Sequence, residues 1–174
     1  MAELPEFSKI KALILDSDGI LTDGGVYISS NGQDMRRFDI KDGLGLVRLQ
    51  KMGIPVAIIS ASPATPVLER AKTLGIMHAY VGEKDKLSRA KAILEEWEIP
   101  PAEAAFMGDD LADRSLLQWV GFPITVADAS PVIQKANYIC YITRANGGHG
   151  AVREVCDLIL GPELATDEPL PPSI

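Results

Sequence analysis

The sequence predicts an α/β fold in which a mainly parallel sheet is covered by helices on both faces. The apolar runs IKALIL (10–15), IPVAIIS (54–60), AAFM (104–107) and ITVA (124–127) lack the in–out alternation of a strand with one wet face. Between them lie segments whose apolar residues recur at three- and four-residue steps, the stripe of an amphipathic helix. Strands that alternate with helices of this length form βαβ units.

In chain order, residues 10–15 are the first buried strand. Residues 24–38, GGVYISSNGQDMRRF, break the rhythm: a β-rich stretch, an Asn31-Gly32 turn and a second polar stretch read as a hairpin, because both turn positions tolerate φ > 0. Gly43-Leu44-Gly45 lacks the third glycine and the preceding strand of a dinucleotide loop, and reads as a helix start. After the strand at 54–60, Val67, Leu68, Ala71 and Leu74 form a helical stripe, with Pro63 and Pro66 at its start and Gly75 at its stop. His78 has no partner at metal-ligand spacing and reads as a surface or loop histidine. Leu87, Ala90, Ile93, Leu94 and Trp97 mark the next helix; Val152, Val155, Cys156, Ile159 and Leu160 mark the last. Trp97 and Trp119 read as packing residues. One domain over residues 1–160 is expected, followed by an extended or disordered tail, 161–174, with four prolines and three acidic residues.

A chain of 174 residues can bury a core without staples. With 47% apolar and 24% charged residues, wholesale disorder is excluded. Cys140 and Cys156 form no disulfide framework, which fits a reducing compartment and core positions. No apolar stretch reaches bilayer length and the first residues lack a secretory core, so a cytoplasmic protein without membrane contact is expected. Its 24 acidic and 17 basic residues give a charge of −7 with no basic stripe, which argues against nucleic acid. A small anion remains open as a ligand, since local amides, a lysine and a metal reverse the field within one cleft.

The chemistry concentrates at strand ends. The first strand runs into Asp16-Ser17-Asp18-Gly19-Ile20-Leu21-Thr22-Asp23. That is the carboxyl edge of the sheet, where open α/β folds bind ligands. Asp16 and Asp18 point the same way while Gly19 lets the chain turn; alone, the run reads equally as an Asp/Gly turn. A calcium loop is excluded by the missing DxDxDG pattern and closing glutamate. The strand at 54–60 ends in Ser60-Ala61-Ser62, where a hydroxyl either donates to a phosphate oxygen or caps the next helix. Lys86 opens a helix, where a cation opposes the macrodipole; it is a solvated surface charge or the mark of a nearby anion. The strand at 104–107 leads into Gly108-Asp109-Asp110, with Asp113 a turn later. Such carboxylates repel unless a cation or hydrogen bonds offset them, although a solvated helix cap would also account for them. Two acidic clusters at one sheet edge supply the hard oxygen ligands that Mg²⁺ takes.

The order DxDGxxxT, Ser, Lys, GDDxxD, with each part after a strand or opening a helix, resembles the haloacid dehalogenase superfamily of phosphatases. More narrowly, it resembles the cap-less 3-deoxy-D-manno-octulosonate 8-phosphate phosphatases. The likeness covers roughly residues 8–160 and includes Asp23-Gly24-Gly25, Phe38-Asp39-Ile40-Lys41-Asp42-Gly43, Asp85-Lys86-Leu87 and Gly147-Gly148-His149-Gly150 followed by Ala151-Val152-Arg153-Glu154-Val155. It implies a Rossmann-like three-layer fold with a β-hairpin inserted after the first strand and no large cap domain. It implies Mg²⁺-dependent hydrolysis of a phosphorylated sugar acid through an aspartyl-phosphate. Asp16 would be the nucleophile, and Asp18 the acid and then the base. Mg²⁺ would be held by Asp16, the backbone carbonyl of Asp18 and Asp109, with Asp110 and Asp113 in support. Ser60, Lys86 and backbone N–H groups as far as Gly19 would hold the phosphoryl oxygens, while Ser17 packs under the sheet. The resemblance also implies a homotetramer in which hairpin 24–38 covers the neighbouring site.

The chain departs from the family where a Gly-Arg or similar pair follows the second motif, here Ala61-Ser62, and where His149 replaces the arginine of Gly-Gly-Arg-Gly. Arg36, Arg37, Ser62, Arg144 and His149 are the candidates for contacts to the rest of the substrate. The alternatives are a nonulosonate (sialic acid or KDN) 9-phosphate phosphatase and a non-catalytic phosphatase-like oligomerisation module; the intact charge cluster argues against the second. A phospho-accepting receiver would carry its acidic pair on the first strand, whereas here the adjacent pair, Asp109-Asp110, comes late.

Overall fold

The structure, a computed structural model, describes residues 5–164. Strand β1 (Ala12–Leu15) is followed by the hairpin strands β2 (Tyr27–Ile28) and β3 (Asp34–Met35), then helix α1 (Ile40–Lys51) and β4 (Val56–Ile59). Next come α2 (Pro66–Thr73), β5 (His78–Tyr80), α3 (Lys86–Glu96), β6 (Ala104–Met107) and α4 (Arg114–Leu117). The described chain finishes with β7 (Phe122–Thr125), α5 (Pro131–Gln134), β8 (Tyr141–Ile142) and α6 (Ala151–Leu164). Six parallel strands form one sheet in the order β5-β4-β1-β6-β7-β8.

The sheet explains why its central strands show no alternation. Leu13, Leu15, Val56, Ile58, Ala105 and Met107 face α1, α2 and α6, packing on Leu46, Leu49, Val67, Ala71, Val152 and Val155. Their strand neighbours Ala12, Ile14, Ala57, Ile59, Ala104 and Phe106 face α3, α4 and α5, packing on Ala90, Ile93, Leu94, Leu116, Leu117 and Ile133. Both faces are dry, so every position is apolar. This is the three-layer α/β arrangement that the sequence predicts, with β1 at the centre and its carboxyl end between those of β4 and β6.

Several details differ from the sequence expectation. The edge strands β5 and β8, three and two residues long and not fully buried, are not among the expected strands, although β8 lies in the apolar stretch 138–142. His78 is not a loop histidine: it lies on β5, where its Nε2 accepts from Trp97 Nε1 at 3.3 Å and its Nδ1 lies 3.3 Å from the Tyr80 hydroxyl. Strand β7 begins two residues earlier than expected and includes Pro123. The Pro123 carbonyl accepts from Cys140 N, so its missing N–H would face the same side, where β8 pairs only from Ile124 onward. The hairpin forms with Tyr27 opposite Met35 and Ile28 opposite Asp34. Its turn closes with Gly32 N donating to Ser29 O and Ser29 N to Gln33 O, and Gly32 has φ 80°. Asn31 keeps a negative φ, so this is a three-residue loop with one left-handed glycine, not the two-residue turn. Cys156 is buried and Cys140 half-buried, and both are free thiols. The expected tail begins as a continuation of α6 past a break at Gly161 (φ 75°), while residues 165–174 lie outside the described part.

Helix α6 is held at its start by a carboxylate from α1. Asp42, 1% exposed, accepts from Arg153 N at 2.8 Å and Gly150 N at 3.3 Å. Burial, which outweighs those two donors and is reinforced by the nearby Asp39, raises its pKa from 3.8 to about 6. The folded chain therefore holds this proton more tightly than the unfolded chain. That contribution to folding is complete below the unfolded value and fades as pH rises through about 6. In urea unfolding, wild type is expected to lose about 2–3 kcal/mol relative to Asp42→Asn between pH ~4 and ~6. Parallel stability curves for the two proteins would contradict this account of Asp42.

Candidate active site

The carboxyl ends of β1, β4 and β6 open into a cleft of about 300 Å³ lined by Asp16, Asp18, Gly19, Ser60, Lys86 and Asp109, among others. Asp16 leaves β1 with its N–H on Met107 O at 2.9 Å, which places the first acidic motif beside the end of β6. Gly19 then turns with φ 83°, and a Cβ there would strike the Asp109 carboxylate. The buried Thr22 hydroxyl closes the loop by accepting from Gly19 N (3.4 Å) and Gly24 N (3.2 Å). Gly147 and Gly148 clamp the loop from outside: Gly148 N donates to Ile20 O at 2.9 Å, and a side chain at either glycine would collide with loop backbone. This explains the role of the late glycine motif, which braces the first motif. Ser17 is fully buried and absent from the cleft lining, as expected.

At the second acidic cluster, Asp113 turns back on its own loop. Its Oδ2 accepts from Asp109 N (2.9 Å) and Asp110 N (3.3 Å), and Gly108 leaves room for its Cβ. Asp113 Oδ1 takes Lys86 Nζ at 2.6 Å, while the same ammonium lies 2.8 Å from Asp16 Oδ1. Lys86 opens α3, yet its side chain is buried between two carboxylates. Burial lowers its pKa, but Asp16 and Asp113 together outweigh that and hold it above the ordinary lysine value. Burial, with repulsion from Asp113, raises Asp16 to about 7 even beside Lys86. Asp109 also rises to about 7, through burial and then repulsion from Asp16, Asp113 and Asp110.

This excess of buried negative charge suits a cation. Asp16, Asp109 and Asp113 each offer an oxygen within 4.8 Å of the others. Since both Asp113 oxygens already accept hydrogen bonds, Asp16 and Asp109 are the carboxylates best placed to ligate Mg²⁺. Asp110 is exposed at the cleft edge, with Oδ1 accepting from Leu111 N at 2.8 Å.

On the opposite wall, the Ser60 hydroxyl accepts from Ser62 N at 3.2 Å, which leaves its proton to donate. Neither serine caps α2: Ser62 Oγ accepts from Ala64 N at 3.3 Å, and Thr65 is the N-cap. The candidates for substrate contacts separate clearly. Ser62 lines the cleft, and Arg36 Nε donates to Asp18 Oδ1 at 3.1 Å. Arg37 donates instead to Gly148 O at 2.7 Å, and His149 is exposed, with Nδ1 2.8 Å from Gly147 O. Arg144 is exposed, and none of Arg36, Arg37, Arg144 and His149 is among the cleft-lining residues; Arg36 reaches the cleft only through its contact with Asp18. Sequence reasoning missed the Arg36–Asp18 pair because its partners lie eighteen residues apart across a hairpin.

Replacing Lys86 by Met keeps the volume and leaves Asp16 and Asp113 buried without their cation. Lys86→Met is expected to lower stability in urea, at neutral pH without metal, by about 3–5 kcal/mol. A loss below about 1 kcal/mol, the size of a surface pair, would show that the ammonium does not hold the cluster together.

A family model described as haloacid dehalogenase-like hydrolase matches residues 70–154. The chain is 43% identical to the 3-deoxy-D-manno-octulosonate 8-phosphate phosphatase KdsC of Salmonella typhi over 160 residues, 91% of this chain and 84% of that one. Identity to the Escherichia coli K12 protein of the same name is 44% over the same shares. The Yersinia pestis phosphatase structure superposes with TM-score 0.84 at 42% identity, covering 89% of this chain and 83% of that one. The Moraxella catarrhalis phosphatase, solved with magnesium, phosphate and KDO, superposes with TM-score 0.84 at 39% identity, covering 89% and 88%. The ordered motifs, the cleft at the centre of a parallel sheet and these likenesses agree: the chain belongs to the 3-deoxy-D-manno-octulosonate 8-phosphate phosphatase family of haloacid dehalogenase-like hydrolases.

Proposed function

We propose that this chain is a Mg²⁺-dependent phosphomonoesterase that hydrolyses 3-deoxy-D-manno-octulosonate 8-phosphate to the free sugar acid and phosphate. The observation that carries the reading is the Asp16–Lys86–Asp113 array beside Asp109, open to a cleft at the sheet edge. A nucleophilic carboxylate, a fixed cation and a metal-suited oxygen set meet where a phosphate dianion fits. Asp16, Asp109 and the Asp18 carbonyl would hold Mg²⁺, which would supply the positive charge that offsets repulsion between carboxylate and dianion.

Asp16 attacks phosphorus and forms an aspartyl-phosphate as the ester P–O bond breaks. Asp18 gives its proton to the departing sugar oxygen. It then takes a proton from the water that attacks the aspartyl-phosphate, which releases phosphate and restores the Asp16 carboxylate. Lys86, the Ser60 hydroxyl and backbone N–H groups of the loop after Asp16 bind the phosphoryl oxygens, the Gly19 N–H by leaving the long 3.4 Å bond it makes to the Thr22 hydroxyl. Asp113 keeps Lys86 and the Asp109 backbone in place, and Asp110 caps the turn that carries Asp113.

In this reading, residues 1–160 form a single phosphatase domain that works in the cytoplasm as a homotetramer without nucleic-acid or membrane partners. The free thiols support the compartment. Among the described residues, no helix is long and apolar enough to cross a membrane. The hairpin supports the assembly: Val26, Tyr27, Ile28 (73% exposed) and Met35 form an apolar ribbon at the cleft mouth that a neighbouring subunit would cover.

The test is phosphate release from octulosonate 8-phosphate, nonulosonate 9-phosphates and hexose phosphates, with and without Mg²⁺. Wild type is expected to prefer the eight-carbon acid and to need Mg²⁺, and Asp16→Asn to lose about 10⁴-fold or more in kcat. Unchanged release by Asp16→Asn, or none from any sugar-acid phosphate, would overturn the proposal.

A further inference from the structure

The proposed substrate carries two anionic groups, and the cleft wall is equipped for one. Lys86 is the only cation among the lining residues, and its ammonium is shared by Asp16 and Asp113. Ala61 and Ser62 bring no charge to the wall after β4. Arg36, Arg37, Arg144 and His149 do not line the cleft, but Arg36 alone of the four pairs with a lining side chain, Asp18.

Arg36 has a different position. It follows β3, where the preceding residue, Met35, is 54% exposed, yet its own side chain is only 5% exposed. Its Nε donates to Asp18 Oδ1 at 3.1 Å, and its Nη1 pairs with Asp34 on the hairpin. The hairpin thus delivers a guanidinium to the rim of the cleft, against a carboxylate whose side chain is still 33% exposed.

We propose that Arg36 determines specificity by exchanging the Asp18 carboxylate for the carboxylate of the sugar acid as substrate enters. The inference rests on the phosphatase reading above and adds the means by which a second anion is recognised. Exchanging one carboxylate for another keeps the guanidinium paired throughout, so substrate binding strands no buried charge. A sugar phosphate without a carboxylate offers Arg36 no new partner and leaves it on Asp18. Discrimination then comes from the hairpin and needs no arginine after the second motif, where this chain has Ala61-Ser62.

The experiment compares kcat and KM of wild type, Arg36→Ala and Arg36→Lys on octulosonate 8-phosphate and on arabinose 5-phosphate, which lacks the carboxylate. Wild type is expected to prefer the acid. Arg36→Ala is expected to lose about 10- to 100-fold more kcat/KM on the acid than on the pentose phosphate. Arg36→Lys should restore part of that difference, because an ammonium keeps the charge and lacks the planar fork. Equal losses on both substrates would make Arg36 a structural brace and overturn the inference. An undiminished preference in Arg36→Ala would overturn it too, while leaving the phosphatase reading intact. A wild-type enzyme with no preference for the acid would overturn the substrate reading itself and this inference with it.

Discussion

Two buried carboxylates, a half-buried third and one buried ammonium, gathered at the end of a parallel sheet, are the constraint on which the rest of this molecule depends. Asp16, Asp109 and Asp113 meet within 4.8 Å around Lys86, so the site carries more negative than positive charge where water screens it poorly. Such a cluster persists only when each member is fixed. Lys86 bridges two of the carboxylates, and two backbone N–H groups secure the far oxygen of Asp113. The remaining imbalance makes the site ready for a divalent cation, and the fixed ammonium makes it ready for an anion beside it.

The fold supplies that fixity through close backbone approach. Parallel strands bring the ends of β1 and β6 side by side, with Asp16 N on Met107 O. Gly19 admits the Asp109 carboxylate, Gly108 admits Asp113, and Gly147 with Gly148 presses on the loop between Asp18 and Asp23. Asp42 fixes the start of α6 immediately after that pair of glycines. A carboxylate on one helix is thereby linked, through the start of another, to the loop that carries the acidic pair.

The sheet's core and its chemistry were largely legible in the sequence, for a shared reason. Strands dry on both faces are continuous apolar runs, and acidic residues just beyond them lie at the carboxyl edge. Asp16, Asp18 and Asp109 could therefore be placed at one sheet edge from the sequence, whereas Ser60 and Lys86 joined them only through the resemblance to the haloacid dehalogenase phosphatases. What the sequence concealed depends on partners distant in the chain or on weak local signals. Strands β5 and β8 are edges of three and two residues, too short for a pattern, even though β8 sits in the apolar stretch 138–142. Strand β7 starts two residues before the apolar run 124–127, and the missing N–H of Pro123 is harmless only once β8 is in place. His78 looked solitary because Trp97 and Tyr80 meet it only after folding. Likewise, nothing in the spacing distinguishes Arg36, turned inward onto Asp18, from Arg37, turned onto Gly148.

The central claim is that the cluster's unbalanced charge is completed jointly by a divalent cation and a phosphoryl dianion. Calorimetric titration of inorganic phosphate into the wild-type protein, with and without saturating Mg²⁺, tests it most directly. Phosphate is predicted to bind at least about tenfold more tightly with Mg²⁺ present, a coupling of about 1.4 kcal/mol or more. Equal affinity under both conditions would contradict the account, because it would mean that Lys86 and the backbone donors hold the anion without help from a metal at Asp16 and Asp109.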